Sequence, residues 1–401
     1  MQSSSNVVYL TLLELFTLLT IAQTGRLFTE KYFLPAIVTE MFIGIALSPY
    51  ALGGVINNLL GVDLFSLNSY LQLFADFSVV LLIFASGLSH GFKGLKSSGF
   101  LGFVAATTGA VLPTYLVYSA FSLIYRTEVA ALMGAASAAT SLAATSSVIE
   151  EYRLYRERFS RLLISAAALD DVVSLVILTV VLEVVTLRAL TVTGVIVSLI
   201  ESIIAWLIIL LTSVYIIPKA IKYVRDELVS NVSLVILFIL VLIMLILGFS
   251  PVVAAFIAGV AIAESVKISR VNEFTNTLLT VFGPIFFIYV GMETPAFDFL
   301  NLNTVLLGLL MTALAIIGKV GGIFPVAYFY TRNLKEAFLT SIGMIPRGEV
   351  GLIVATLGLS SGILNGDEYS QIILMALLTT IIGGILFVRL ADRWVLKRSK
   401  R

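Results

Sequence analysis

The chain has 401 residues, 59% of them hydrophobic and 12% charged, with a formal net charge of +1, no cysteine and a single histidine. Its mean hydropathy is +1.06, whereas soluble domains carry about 25% charged residues and cover themselves with polar groups, so a soluble enzyme is excluded. The near-neutral charge excludes the basic field of a nucleic-acid binder, the lack of cysteine excludes disulfides, thiolate zinc sites and iron–sulfur clusters, and a lone His90 excludes His-rich metal sites.

Apolar runs long enough to cross a hydrocarbon core of about 30 Å as helices recur along the chain. They predict an all-α integral membrane protein of thirteen spans, at about 7–24, 34–51, 71–89, 99–125, 128–149, 160–187, 190–217, 228–247, 251–266, 276–293, 303–329, 337–361 and 369–388. The first span has no Lys or Arg ahead of its apolar run, unlike a cleaved signal, and is expected to remain as a helix. Gly248-Phe249-Ser250-Pro251 is the turn that divides the eighth span from the short ninth. His90 falls at the end of the third span, where a membrane-surface loop residue is the plain reading and a proton relay the alternative.

Charge tests this map. All but four of the 25 Lys and Arg residues lie in connections after odd-numbered spans or in the C-terminal tail, and Arg126 and Arg188 alone lie in connections on the other side. Cytoplasmic loops retain basic residues, so the N-terminus is expected outside and the C-terminus inside. Merging the eighth and ninth spans would put the later basic loops on the wrong side. The last two basic residues, Lys319 and Arg347, fall inside spans.

Ionisable residues within spans are costly and normally face a partner or a wet cavity. In chain order, Glu14 carries no motif, and Glu40 and Asp76 are candidates to line an aqueous funnel, with a capped or interfacial position as the alternative. The fifth span reads Gly-Ala-Ala-Ser-Ala-Ala-Thr-Ser-Leu-Ala-Ala-Thr-Ser-Ser-Val-Ile over 134–149. Such small residues suit close helix packing; equally, Thr140, Ser141, Thr145 and Ser146 mark a helix interrupted in mid-membrane, with carbonyls and hydroxyls free to ligate a hard cation.

The sixth span places Asp170 and Asp171 about ten residues in. Adjacent helical residues point about 100° apart, so one carboxylate can face a cavity while the other faces a neighbouring helix. Two close carboxylates resist joint ionisation, and a countercation such as Lys319 can hold one charged and leave the other to bind a proton or a metal cation. A buried ion pair without a transport role is the alternative. Glu201 in the seventh span has no motif.

Lys319 lies deep in the eleventh span, beyond easy reach of the interface. The twelfth reads Ser-Ile-Gly-Met-Ile-Pro-Arg-Gly-Glu-Val-Gly-Leu-Ile over 341–353, where Pro346 removes a helix donor and Arg347 and Glu349 sit at the break. The fifth and twelfth spans are seven apart and therefore cross in opposite directions. Spans four to six and eleven to thirteen form candidate inverted repeats whose discontinuous helices meet near the midplane, which would bring Asp170, Asp171, Thr145 and Lys319 to one locus.

With these residues, the chain resembles the monovalent cation/proton antiporter superfamily, in particular its sodium/proton exchangers with an adjacent Asp-Asp pair. The resemblance covers nearly the whole chain and is carried by Ala-Leu-Asp-Asp-Val-Val at 168–173, Ala-Thr-Ser-Ser-Val-Ile at 144–149, Gly-Lys-Val-Gly-Gly at 318–322 and Pro-Arg-Gly-Glu-Val-Gly at 346–351. It implies a 13-helix antiporter with two crossed broken helices. It also implies a moving core, about 71–187 and 276–388, and a dimerisation scaffold, about 7–51 and 190–266, within one transporter unit that works as a homodimer by elevator-like movement. It implies that Asp171 binds cation and proton, with Asp170 and Thr145 completing a Na⁺ site, and that Asp170 pairs with Lys319, with Arg347 and Glu349 as the charged pair on the second broken helix. The Asp-Asp and Lys pattern resembles the electrogenic group. Some relatives carry a serine ligand one turn before the binding carboxylate; Ala167 occupies that place here.

The function expected is therefore exchange of Na⁺ (or Li⁺) for H⁺ across the cell membrane, without a cofactor and without enzymatic chemistry. The alternatives are exchange of K⁺ for H⁺ and a passive cation channel with an acidic pore. An intramembrane aspartyl protease is disfavoured because adjacent helical aspartates diverge from a shared water.

Overall fold

A segment buried in lipid has no water to satisfy its backbone, so helices are one of only two ways to span. The computed structural model describes residues 2–32, 35–97, 99–141, 145, 149, 154, 157–187, 192–247 and 250–396, and its elements are all helical. In chain order they are α1 (Gln2–Tyr32), α2 (Ala36–Leu47), α3 (Leu52–Leu60), α4 (Ser69–Ser97), α5 (Gly99–Phe121), α6 (Thr127–Ala136), α7 (Arg158–Leu187) and α8 (Val192–Lys222). They continue as α9 (Val229–Ile246), α10 (Pro251–Ala263), α11 (Ile268–Glu293), α12 (Leu302–Thr331), α13 (Leu334–Gly343), α14 (Glu349–Ser360) and α15 (Gly366–Ala391).

Among the described residues, nine helices are long and apolar enough to cross a membrane, or ten if the bent pair α2 and α3 counts as one span. The chain is thus a multi-pass membrane protein. The fifth, ninth and twelfth expected spans are not single long helices. The fifth begins as α6, ten residues long; the ninth is α10, thirteen residues; the twelfth is divided into α13 and α14. The bend after α2 also differs from the sequence map, which had a connection where α3 stands. Pro49 interrupts the chain, α3 departs at 46°, and Gly61 closes it in the left-handed region at φ 67°.

The chain divides into two units, one of Met1–Ala75, Phe100–Ser174 and Pro284–Arg401, the other of Asp76–Gly99 and Leu175–Gly283. In the second unit, α10 starts with Ser250 capping the Val252 N–H and with Pro251 at its first position, where the missing donor costs nothing. Residues Val252–Ile262 are all buried, as befits a helix apolar on every side. It packs against α8 and α9. Its Gly259 meets Gly87 of α4 so closely that a Cβ there would lie 2.2 Å from the Phe84 carbonyl oxygen.

In the first unit, α12 packs against α13 and α15, and α14 packs against α6 and α15. The apolar core that supports the breaks is built from Phe159, Leu162 and Leu163 of α7, Ile342 of α13, Ile345 just beyond it, and Phe387 of α15. Gly44 of α2 and Gly291 of α11 bring two backbones together, and the Ser48 hydroxyl donates to the Met292 carbonyl at 2.7 Å.

Candidate functional site: a buried charge cluster at two helix breaks

The second break follows from Pro346. With no N–H to give, it ends α13, whose last turn tightens through Met344 N–H to the Ser341 carbonyl (3.3 Å) and Ile345 N–H to the Ile342 carbonyl (3.0 Å). A helix end in the membrane leaves carbonyls that water does not reach, and side chains from elsewhere take them. The Thr145 hydroxyl donates to the Gly343 carbonyl and the Thr140 hydroxyl to the Met344 carbonyl, both at 3.2 Å. The Arg347 guanidinium donates to the carbonyls of Ile345 (2.9 Å), Met344 (3.5 Å) and, across to α12, Ala315 (3.1 Å). Thr380 of α15 donates to the Arg347 carbonyl. A cation at the C-terminal end of α13 and Glu349 in the first turn of α14 both oppose the helix dipoles exposed by the break.

The first break begins where α6 ends at Ala136, after which the Ser137 N–H still bonds back to Met133 and Gly134 carbonyls. Ser141 N–H then crosses to the Pro346 carbonyl at 2.8 Å, so backbone of one break is bonded to backbone of the other. Gly348 is required at this crossing, because a Cβ on it would lie 2.5 Å from that of Ser141. Beyond the break, Thr145 and Ile149 are helical; Ser146 lies outside the described residues.

Lys319 joins the two breaks to α7. Its ammonium donates to the Ala138 carbonyl at 2.7 Å and to both oxygens of Asp170, at 2.8 and 3.0 Å. Both side chains have 0% exposure. That uses all three ammonium protons on oxygen, the geometry in which a buried ion pair is tolerated. Small residues set the lysine's depth. A Cβ on Gly318 would lie 2.5 Å from the Pro113 backbone, one on Gly322 2.3 Å from the Thr108 carbonyl, and the Thr108 hydroxyl donates to the Gly322 carbonyl at 2.7 Å. This small-xxx-small contact brings α12 onto α5 and holds Lys319 at a fixed depth.

The two aspartates differ as their directions on the helix require. Asp170 is enclosed; Asp171 is only partly buried. Asp171 interacts electrostatically with Lys319 and with Glu349, and Asp170 with Arg347. The Glu349 carboxylate is bonded by the Ser141 hydroxyl. The structure therefore brings Asp170, Asp171, Thr145, Lys319, Arg347 and Glu349 into one cluster within the first unit. Arg347 spends its guanidinium on backbone carbonyls, a use that charge pairing along the sequence does not suggest. Glu40 is buried on α2, one turn before Gly44, and Asp76 is exposed in the second unit. The Ala138 and Ala315 carbonyls and the Thr380 hydroxyl carry no sequence signal of their role.

Comparison with known proteins bears on the whole chain. Residues 15–393 match the family described as sodium/hydrogen exchanger, transmembrane. A Na⁺/H⁺ antiporter of Enterococcus hirae is 26% identical over 90% of this chain and 93% of its own. The Na⁺/H⁺-K⁺ antiporter GerN of Bacillus cereus is 26% identical over 87% of this chain and 88% of its own. The sodium proton antiporter MjNhaP1 of Methanocaldococcus jannaschii shares the fold, with a TM-score of 0.72, 18% identity, and coverage of 98% of this chain and 97% of that one. A match of this extent, over a helical fold of the same kind, means that the chain belongs to the sodium/hydrogen exchanger family.

Proposed function

We propose that this protein is a secondary active antiporter that exchanges Na⁺ (or Li⁺) for H⁺, the two competing for Asp171. The observation that carries the reading is the division of labour between adjacent acids: Lys319 holds Asp170 with both oxygens engaged, beside a partly exposed Asp171. Fully ionised, Asp170, Asp171 and Glu349 outnumber Lys319 and Arg347 by one negative charge. One monovalent cation or one proton at Asp171 neutralises the cluster. Crossing a low-dielectric barrier with the charge uncompensated is penalised, so an empty site stays where it is, and occupancy by either ion couples the two flows.

Thr145, Ser146 and the carbonyls at the breaks supply further oxygen around the ion, with Lys319, Arg347 and Glu349 balancing charge. If Asp170 also leaves Lys319 and takes a proton, two protons return for each Na⁺. The cycle then moves net charge, worth about 2.3 kcal/mol per elementary charge per 100 mV. The architecture that fits is thirteen crossings, N-terminus outside and C-terminus inside, with inverted repeats around two crossed broken helices. A core of about 71–187 and 276–388 would rise and fall against a scaffold of about 7–51 and 190–266 in a homodimer of the cell membrane. Asp76, exposed on α4, would line the approach. The relative GerN is a Na⁺/H⁺-K⁺ antiporter by name, which supports K⁺ exchange as a second reading.

The test is proton flux in proteoliposomes, read with an internal pH dye on imposing Na⁺, Li⁺ or K⁺ gradients. The wild type moves protons uphill, which an acidic-pore channel cannot do, and the flux follows an imposed membrane potential. Asp171→Asn loses it. Undiminished flux in a folded Asp171→Asn protein contradicts the proposal.

A further inference from the structure

We propose that Ser174 is a ligand of the transported cation, supplying a neutral oxygen beside Asp171; the inference rests on the exchange proposed above and extends its ligand set. On a helix with about 100° per residue, and taking Asp170 as zero, Asp171 points at about 100° and Ser174, one turn on, at about 40°. Viewed down the helix axis, Ser174 therefore falls in the angle between the two aspartates, about 4.5 Å further along the helix than Asp171. Ala167, one turn before, projects into the same angle, at about 60°, and carries no oxygen.

The state of the hydroxyl is the second observation. Ser174 is 1% exposed, and its Oγ has no hydrogen-bond partner among the described residues. A serine or threonine inside a helix can discharge its proton onto the carbonyl four residues back, as Thr179 does on this same helix (to Leu175, 2.8 Å) and Ser233 and Thr312 do elsewhere. Ser174 does not bond back to Asp170. A buried hydroxyl left unbonded is a standing cost to the fold, and a cation at Asp171 would relieve it, because a hydroxyl oxygen offers lone pairs to a hard ion while its proton remains free to turn away. Neutral oxygen beside one carboxylate also tunes the site. It raises affinity for the metal ion without adding a charge that would have to cross the membrane, and it is sensitive to ion radius in a way that a proton, which needs only Asp171, is not.

The experiment uses the full-length protein, as wild type, Ser174→Ala, Ser174→Thr and Asp171→Asn. Two readouts are taken: the KM for Na⁺ and for Li⁺ in proteoliposomes, and the thermal stability of the purified protein with and without Na⁺. For Ser174→Ala the expected result is a KM for Na⁺ raised about tenfold, the loss of one good ligand bond, with the maximal rate kept. Stability without Na⁺ is equal to wild type or higher, the gain from adding Na⁺ is reduced, and the Na⁺ to Li⁺ ratio of KM changes. Ser174→Thr restores the KM. An unchanged KM in Ser174→Ala, or a fall in its Na⁺-free stability with no loss of Na⁺ response, makes the hydroxyl structural and overturns the assignment. Asp171→Asn separates the two levels. If it abolishes flux while Ser174→Ala matches wild type, only the Ser174 ligand falls; if it retains flux and Na⁺ response, the exchange site at Asp171 and the ligand built on it fall together.

Discussion

Glu14 of α1 and Asp170 of α7 both have 0% exposure, and they are held in opposite ways. Glu14 accepts from the Ser66 backbone N–H at 2.8 Å and from the Asn68 amide at 3.3 Å. Asn68 in turn accepts from the N–H groups of Tyr70 and Leu71 and from the Thr11 hydroxyl, so this acid fastens the start of α4 to α1. Its donors are neutral and belong to a short, backbone-anchored turn. Asp170 is held by a charge at the end of a four-carbon arm, whose remaining bond goes to a carbonyl in a helix break. Backbone donors cannot leave without unfolding a turn; a lysine can swing away by changing rotamers. The first arrangement staples, and the second can be opened and re-formed.

Several substitutions would break or sharpen that contrast. Lys319→Met should do most damage, because it leaves the Asp170 carboxylate buried without the cation bonded to it, at about 3–5 kcal/mol. Thermal unfolding in detergent should drop accordingly and exchange should be lost; a variant as stable as wild type would show that the pair is dispensable. Gly318→Leu drives a side chain into the Pro113 backbone, and overpacking of this kind costs about 1–3 kcal/mol. It should also displace Lys319, so exchange should fall further than the stability loss alone accounts for. Glu14→Gln removes one acceptor from the staple, at about 1–2 kcal/mol, and should retain Na⁺-driven proton flux. Loss of flux in a folded Glu14→Gln protein would erase the distinction between the two acids. The smallest effect is expected from Thr380→Val, which removes one bond to the Arg347 carbonyl, at about 1 kcal/mol, and is read by the same unfolding assay.

Much of this is legible in the sequence. Runs of apolar residues are a direct signature of helices in lipid, and charges such as Asp170, Asp171, Lys319 and Arg347 stand out because hydrocarbon makes them expensive. Pro346 marked the break after α13, since a missing N–H is visible in the sequence. Helix length was less legible. The runs at 128–149 and 337–361 are long enough to read as single spans, yet α6 stops at Ala136 and α13 at Gly343, because bonds from Thr140, Thr145 and Arg347 to the Gly343, Met344 and Ile345 carbonyls let an interrupted backbone stand in the membrane. The two threonine bonds join residues 204 and 198 positions apart, and backbone carbonyls such as those of Ala138 and Ala315 belong to every residue alike, so nothing in the sequence distinguishes them. Hydropathy also did not separate α3, a short helix beyond Pro49, from a loop.

The central claim is that one carboxylate serves proton and metal ion in turn, and the most direct test is the affinity for Na⁺ measured against pH, by Na⁺-dependent thermal stabilisation of wild type and Asp171→Asn. Competition at Asp171 predicts that below the pH at which it gives up its proton each unit of acidification weakens Na⁺ binding about tenfold, that the affinity levels off above that pH, and that Asp171→Asn shows no Na⁺ response. Wild-type affinity that is flat across the whole range, or a pH dependence that survives in Asp171→Asn, would contradict it.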